Sequence, residues 1–168
     1  MIIGVTGKSG SGKSTYSNKL AKKIDAVVIH IDDIGHKVLT YPHIKEKLYK
    51  SFGEVDRKSL GDIIFTNRHS YNILTDIVWS DMKKEIDHIL NSNEKVILDW
   101  ILLPHTHYWK MCDEKILIKA QNDEERKLKI IERDNINLEY LNKRDSASIN
   151  YNELEFDKII INNYGDTN

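Results

Sequence analysis

The sequence predicts an α/β domain, a doubly wound three-layer arrangement around a five-stranded parallel sheet. Two observations carry that prediction. Short apolar runs such as VVIHI (Val27–Ile31) and KVIL (Lys95–Leu98) alternate with longer stretches of helical periodicity. Alternation of this kind implies right-handed crossovers between parallel strands, and unbroken apolar runs suit strands buried on both faces. Second, the polar residues best suited to ligand chemistry stand where those runs end: Gly7–Ser14, Asp32, Asp99 and Asn162-Asn163. Ligands of open α/β sheets gather at the carboxyl ends of the strands.

Met1–Thr6 reads as the first strand, because Ile2, Ile3 and Val5 are apolar and mostly branched. Ser14–Lys23 reads as a helix with Tyr16, Leu20 and Ile24 at four-residue spacing. Ala26–Ile31 is a second buried strand ending at Asp32-Asp33, and Asp33 is expected to cap a helix over Asp33–Leu39. Thr40-Tyr41-Pro42 breaks that helix. Helices follow at His43–Ser51 and Lys58–Phe65, with a turn at Phe52-Gly53. Ser70–Asn91 is a long helix whose Leu74, Val78, Met82, Ile86 and Leu90 form one apolar stripe. Val96–Leu98, with Asp99 at its exit, and Ile116–Ile118 are the third and fourth strands. Asp123–Asp134 is a charged helix in which Asp123/Lys127 and Glu125/Lys129 are spaced for pairing. Ile136–Ser148 is polar and expected to be mobile, and Ile159–Ile161 is the fifth strand.

A chain of 168 residues, 40% hydrophobic and 30% charged, suits one domain over 1–168 with a single core. A net charge of −1 gives no sign of a surface for nucleic acid or an acidic membrane. The single cysteine, Cys112, rules out an internal disulfide and suits a reducing cytosol. No apolar run approaches the length of a membrane span. The start of the chain reads as strand and glycine loop, not as a signal peptide. The expectation is a cytoplasmic monomer acting on a small molecule, with no nucleic-acid or membrane partner.

Four of the eight glycines fall within GVTGKSGSGKST, Gly4–Thr15. Gly7, Gly12, Lys13 and Ser14 fit the phosphate-loop spacing G-x-x-x-x-G-K-(S or T), and the fit counts because a strand precedes it and a helix follows. Backbone N–H groups can converge on a phosphate only in a tight turn with no Cβ in the way. The expected phosphate cradle is therefore Gly7, Lys8, Ser9, Gly10, Ser11, Gly12, Lys13, Ser14 and Thr15. Lys13 can reach the β- and γ-phosphates of ATP, and the Ser14 hydroxyl can hold Mg²⁺. Lys8 either adds a phosphate contact or faces water. The fold class is therefore that of the P-loop NTPases.

A GTPase-type switch is tested by Asn142-Lys143-Arg144-Asp145, which matches N-K-x-D. That reading needs a buried strand before it, where the chain has the polar NLEYL, and a D-x-x-G where Asp99 is followed by Trp100-Ile101-Leu102. A small-molecule kinase has positive support. Transfer to an alcohol needs a group to take the hydroxyl proton and cations to spread the charge. Asp32 can act as an acceptor-side base or a Mg²⁺-shell ligand, and Asp99 can hold Mg²⁺ through a bound water. Arg133 and Arg144 flank the polar segment and could close on phosphates as a short lid. His105, His107 and Cys112 lack a paired Cys-x-x-Cys or a fourth ligand for zinc. Trp100, Tyr108 and Trp109 could pack on a ligand or in the core.

Several segments, in order along nearly the whole chain, carry a family resemblance. IDDI follows the second strand, where the pattern is D-A-D-D-I. SFGEVDRKSLGDIIFTN, Ser51–Asn67, resembles F-G…D-R-K-x-L-G-x-I-V-F. ILDWILL resembles V-L-D-x-P-L-L, ERD at Glu132–Asp134 resembles A-R-D, and IINNYG at Ile160–Gly165 resembles I-D-N-x-G. The chain thus resembles the dephospho-CoA kinases, which use ATP to phosphorylate the ribose 3′-hydroxyl of dephospho-CoA in the last step of coenzyme A synthesis. The resemblance implies that Asp32 is the acceptor-side acid and that Gly10–Thr15 belong to the ATP-phosphate loop. It implies that Arg133 meets phosphates as a lid over roughly 134–150 closes, and that Asn163 lies where a loop borders the adenine. The chain departs from the pattern at Lys8, His30, His36, Trp79-Ser80, Ile101 and His105, mostly on the acceptor side. Two alternatives therefore stand beside it. One is a nucleoside or nucleoside monophosphate kinase, since GKSGSGKST also resembles uridine-kinase-type loops. The other is a regulatory ATP binder that has lost transfer.

Overall fold

Five parallel strands form one sheet: β1 (Ile2–Thr6), β2 (Val27–His30), β3 (Val96–Asp99), β4 (Glu114–Ala120) and β5 (Lys158–Asn162), in the order β2-β3-β1-β4-β5. The structure, a computed structural model, describes residues 1–54, 56–146 and 149–163. The helices are α1 (Lys13–Ile24), α2 (Ile31–Val38), α3 (Pro42–Phe52), α4 (Arg57–Thr66), α5 (Arg68–Ser92), α6 (Tyr108–Met111), α7 (Asp123–Asp134) and α8 (Leu138–Ser146). Short 3₁₀ turns lie at Leu103–His105 and Tyr151–Glu153.

The backbone sorts into two compact units. One comprises Met1–His30 with Asn93–Asn168 and holds the sheet; the other is Ile31–Ser92. In the sheet unit, β1 is central, and its neighbours run to either side. The chain leaves β1 for β2, beyond β3, and leaves β3 for β4, on the far side of β1. The loops after β1 and β3 thus diverge, which is the topology that opens a ligand crevice at carboxyl ends. The register sets Val5 of β1 and His30 of β2 level with Asp99 of β3.

Side chains alternate across β1 as strand geometry requires. Ile3 and Val5 join Ala21, Ile97, Ile116 and Ile118 in a buried cluster, against which Tyr16, Leu20 and Ile24 of α1 pack. Gly4 faces the other way, and a Cβ there would lie 2.7 Å from Cys112 Sγ and 3.0 Å from the Trp109 ring. The α6 region therefore covers the second face of the sheet. Tyr108 and Trp109 belong to this core: both are buried, and Trp109 meets Phe156 edge-on.

In the Ile31–Ser92 unit the α5 stripe is as expected, with Val78, Met82 and Ile86 buried. Ile34 and Val38 of α2 and Ile44 and Leu48 of α3 are buried as well. Glu85 of α5 accepts hydrogen bonds from Lys37 Nζ (2.8 Å) and from the Tyr41 hydroxyl. His43 Nε2 lies 3.1 Å from Asp81 Oδ2.

Two local expectations are corrected. β2 ends at His30 and α2 begins at Ile31, so Asp32 does not end a strand and Asp33 is not an N-cap. Both carboxylates instead lie in the first turn of α2, where the helix dipole favours negative charge. Within the polar stretch that follows α7, α8 spans Leu138–Ser146. Asn135, in the left-handed region at φ 50°, ends α7. The Asn137 side chain then accepts from Tyr140 N (2.8 Å) and starts the next helix, which is anchored by the fully buried Leu141. Residues 147 and 148 of the expected lid, and Tyr164-Gly165 of the IINNYG segment, lie outside the described residues.

Candidate phosphate-binding site

β1 stops at Thr6, α1 starts at Lys13, and the glycine loop joins them. Gly7 and Gly12 have φ of 149° and 92°. A Cβ on either would come within 2.2 Å of another group, the Ile118 carbonyl oxygen for Gly7 and Asn162 Nδ2 for Gly12. Both positions therefore need glycine for conformation and for space. Gly12 gives α1 no side-chain cap, and a helix N-terminus of this kind is a ready anion site.

The loop carbonyls are held. Lys8 O accepts from Ser11 N and from Lys13 Nζ, both at 3.1 Å. Ser9 O accepts from Arg126 Nη1 at 3.0 Å, and Ser11 O accepts from Asn162 Nδ2 at 3.0 Å. Thr15 sits exposed in the first turn of α1. Lys8, Ser11, Lys119, Asp123, Arg126 and Tyr151 are among the residues lining a pocket of about 520 Å³ beside the loop.

Ser14 Oγ donates to Asp99 Oδ2 at 2.7 Å. The same oxygen lies 2.8 Å from His30 Nδ1, and His30 Nε2 lies 3.2 Å from Asn18 Oδ1. Asp99 is almost fully buried, at 4% exposure. A hydroxyl and a carboxylate side by side at the carboxyl ends of β1 and β3 are hard oxygen donors, the chemistry Mg²⁺ selects. The loop after β3 is pinned by Thr6 Oγ1 and the Tyr151 hydroxyl, which donate to Ile101 O at 3.1 and 3.4 Å. Burial pushes the Tyr151 phenol up to about 12.

The two lid arginines differ. Arg144 reaches the loop, with Nη2 3.3 Å from Ser9 Oγ, while its Nη1 donates to Asp134 Oδ2 at 3.2 Å. Arg133 is 61% exposed and folds back on its neighbour, donating through Nε and Nη2 to Asp134 at 2.7 and 3.1 Å. The Arg133 bonds, with Arg144 adding to them, hold the Asp134 carboxyl below its usual range. Asn163 is exposed after β5 and lines a second pocket with Gln121, Asn122, Asp123 and Glu125. Asp32 is an exposed residue of the Ile31–Ser92 unit, in the first turn of α2.

Sequence reasoning missed Arg126. It is 1% exposed and donates to Asp123 Oδ1 and Asp145 Oδ2, at 2.7 and 2.5 Å, as well as to the loop. Burial works against its charge, but the two carboxylates outweigh that cost and its pKa is raised. The available signal was its four-residue spacing from Ile130, the buried apolar residue of the same helix. The N-K-x-D match also finds a structural explanation. Asn142 and Asp145 lie on α8 and accept from Lys127 (3.1 Å) and Arg126 of α7. Cys112 donates to Tyr108 O at 3.2 Å, and burial raises its thiol to about 12, while His105 and His107 are exposed.

A dephospho-CoA kinase family model matches residues 1–168. The dephospho-CoA kinase of Fusobacterium nucleatum is 31% identical over 180 aligned positions, covering 97% of this chain and 90% of that protein. That of Borreliella burgdorferi is 33% identical over 132 positions; the match takes in 73% of this chain but only 63% of the relative's length. Two solved structures share the fold at 23% identity. One, of a Thermus thermophilus protein, gives a TM-score of 0.80 with 97% of this chain and 88% of that chain covered. The other, a Campylobacter jejuni dephospho-CoA kinase, gives 0.61 with 98% and 90% covered. Among the described residues, no helix is long and apolar enough to cross a membrane.

Proposed function

The chain belongs to the dephospho-CoA kinase family, and on that premise we propose that it transfers the γ-phosphoryl group of ATP to the ribose 3′-hydroxyl of dephospho-CoA. The observation that carries the reading is the Ser14–Asp99 hydrogen bond at 2.7 Å, set at the foot of a glycine loop that joins β1 to α1. It supports the reading because the proposed phosphate cradle and two oxygens able to serve its counter-ion lie together.

In this reading the loop amides from Gly7 to Thr15 and the α1 N-terminus bind the phosphates. Lys13 leaves Lys8 O and turns to the β- and γ-phosphates. Ser14, and Asp99 through a bound water, would hold Mg²⁺, which would supply positive charge to the phosphate oxygens. Asp32 accepts the proton of the acceptor hydroxyl. Arg144, already at Ser9, and Arg133, once released from Asp134, stabilise charge on the group in transit. Asn163 borders the adenine, and Lys8 adds a cation to the phosphate side. Residues 1–168 act as one kinase domain whose lid is roughly 134–150. The enzyme works as a cytoplasmic monomer on a small molecule, without nucleic-acid or membrane partners.

The test is ADP release with dephospho-CoA as acceptor, in the wild type and in Asp32→Asn. The expected result is acceptor-dependent turnover in the wild type. In the variant kcat falls by about 10²-fold or more, with ATP affinity kept. Loss of ATP binding in a folded Asp32→Asn protein would make Asp32 a nucleotide ligand instead.

A further inference from the structure

We infer that the phosphate loop is set from outside itself, with Arg126 and Asn162 as positioning residues that each turn one loop carbonyl away from the anion. The inference deepens the phosphate-loop reading of Gly7–Thr15 and rests on it. In a trans peptide unit the C=O and N–H point to opposite sides, and no described peptide bond is cis. Arg126 Nη1 holds the Ser9 carbonyl, which directs the Gly10 N–H of the same unit to the far side. Asn162 Nδ2 holds the Ser11 carbonyl, which does the same for the Gly12 N–H. A flipped unit at either place would present an oxygen where phosphate oxygens must sit.

Glycine-rich backbone flips easily, so an orientation of this kind needs an external hold. Both holds are built into the sheet unit. Asn162 ends β5, and its amide lies so close to the loop that a Cβ on Gly12 would sit 2.2 Å from it. Arg126 is a buried cation spanning Asp123 of α7 and Asp145 of α8. Those two carboxylates balance its charge, and its remaining arm goes to a loop carbonyl 117 residues away in the chain. A strut that only joined α7 to α8 would have no need of that third bond.

The test measures the dissociation constant of inorganic tripolyphosphate by calorimetry, without divalent cation. It uses the wild type, Asn162→Ala and the double variant R126M/D145N. The double change removes the buried cation together with the carboxylate that most depends on it. Each protein is measured where circular dichroism shows it folded. The expected result is binding weaker by about tenfold in each variant. A merely structural role would lower the melting temperature and leave the affinity of the folded protein unchanged, so wild-type affinity in the folded variants overturns the inference. Should R126M/D145N fail to fold, Asn162→Ala decides by the same criterion. A wild type that does not bind tripolyphosphate would remove the phosphate-loop reading itself, a distinct outcome that takes this inference with it.

Discussion

At the residue scale, Asp99 shows how much one carboxylate at a strand end can organise. Its Oδ2 takes the Ser14 hydroxyl and faces His30 Nδ1, while Asn18 fixes the other side of that ring. The family resemblance sets an acid at position 30, and the register explains what the histidine does in its place. It lies level with Asp99 on the adjacent strand and offers a ring nitrogen rather than a second negative charge. Lys13 is the residue whose proposed job differs most from its observed contact. It now donates to Lys8 O, a neutral acceptor of the loop. In the proposed transfer reaction it would face developing charge instead, and preorganised donors of that kind contribute about 10²–10³-fold in rate. Lys13→Ala is therefore expected to lose kcat by at least that factor in a steady-state kinase assay. A near-normal rate would refute its assignment.

At the element scale, α8 depends on its surroundings. Nine residues are too few for a helix to persist alone in water. It forms because Asn137 starts it, Leu141 is fully buried, and Asp145 and Asn142 are tied to α7. Leu141→Ala should cost about 2–5 kcal/mol in denaturant unfolding. It should also speed hydrogen exchange of the α8 amides more than those of α7. Unchanged protection in α8 would show that the helix stands without that contact. The same element shows why some of the fold escaped sequence reading. α7 was legible to the residue, Asp123–Asp134, because charge pairs mark it locally; Lys129 indeed meets Glu125 at 3.0 Å. The strands were legible from their branched apolar runs. In α8 the signal is one buried leucine among polar residues, and the ties that stabilise it are made to another helix. Arg126 escaped for a related reason, since a buried charge breaks the pattern that marks a core position. Asp33 misled because a carboxylate at a strand–helix junction resembles a cap, whether the helix starts at that residue or two before it.

At the scale of the whole molecule, each compact unit carries its own residues of interest. The sheet unit holds the glycine loop, the Ser14–Asp99 pair, Arg126 and Arg144. The Ile31–Ser92 unit holds Asp32 and the Ser51–Asn67 segment that resembles the family most closely. The proposed nucleotide half rests on physical rules, because glycine spacing between strand and helix has a mechanism. The proposed acceptor half rests on resemblance alone, since no local rule turns D-R-K-x-L-G into a substrate. The most direct measurement of the central claim is ADP release by the intact wild-type protein. It is run with Mg²⁺ and ATP plus dephospho-CoA, with a panel of nucleosides and nucleoside monophosphates, and with no acceptor. The account predicts turnover that depends on dephospho-CoA and is near background elsewhere. Turnover with a nucleoside, or tight ATP binding with no acceptor-dependent release at all, would contradict it.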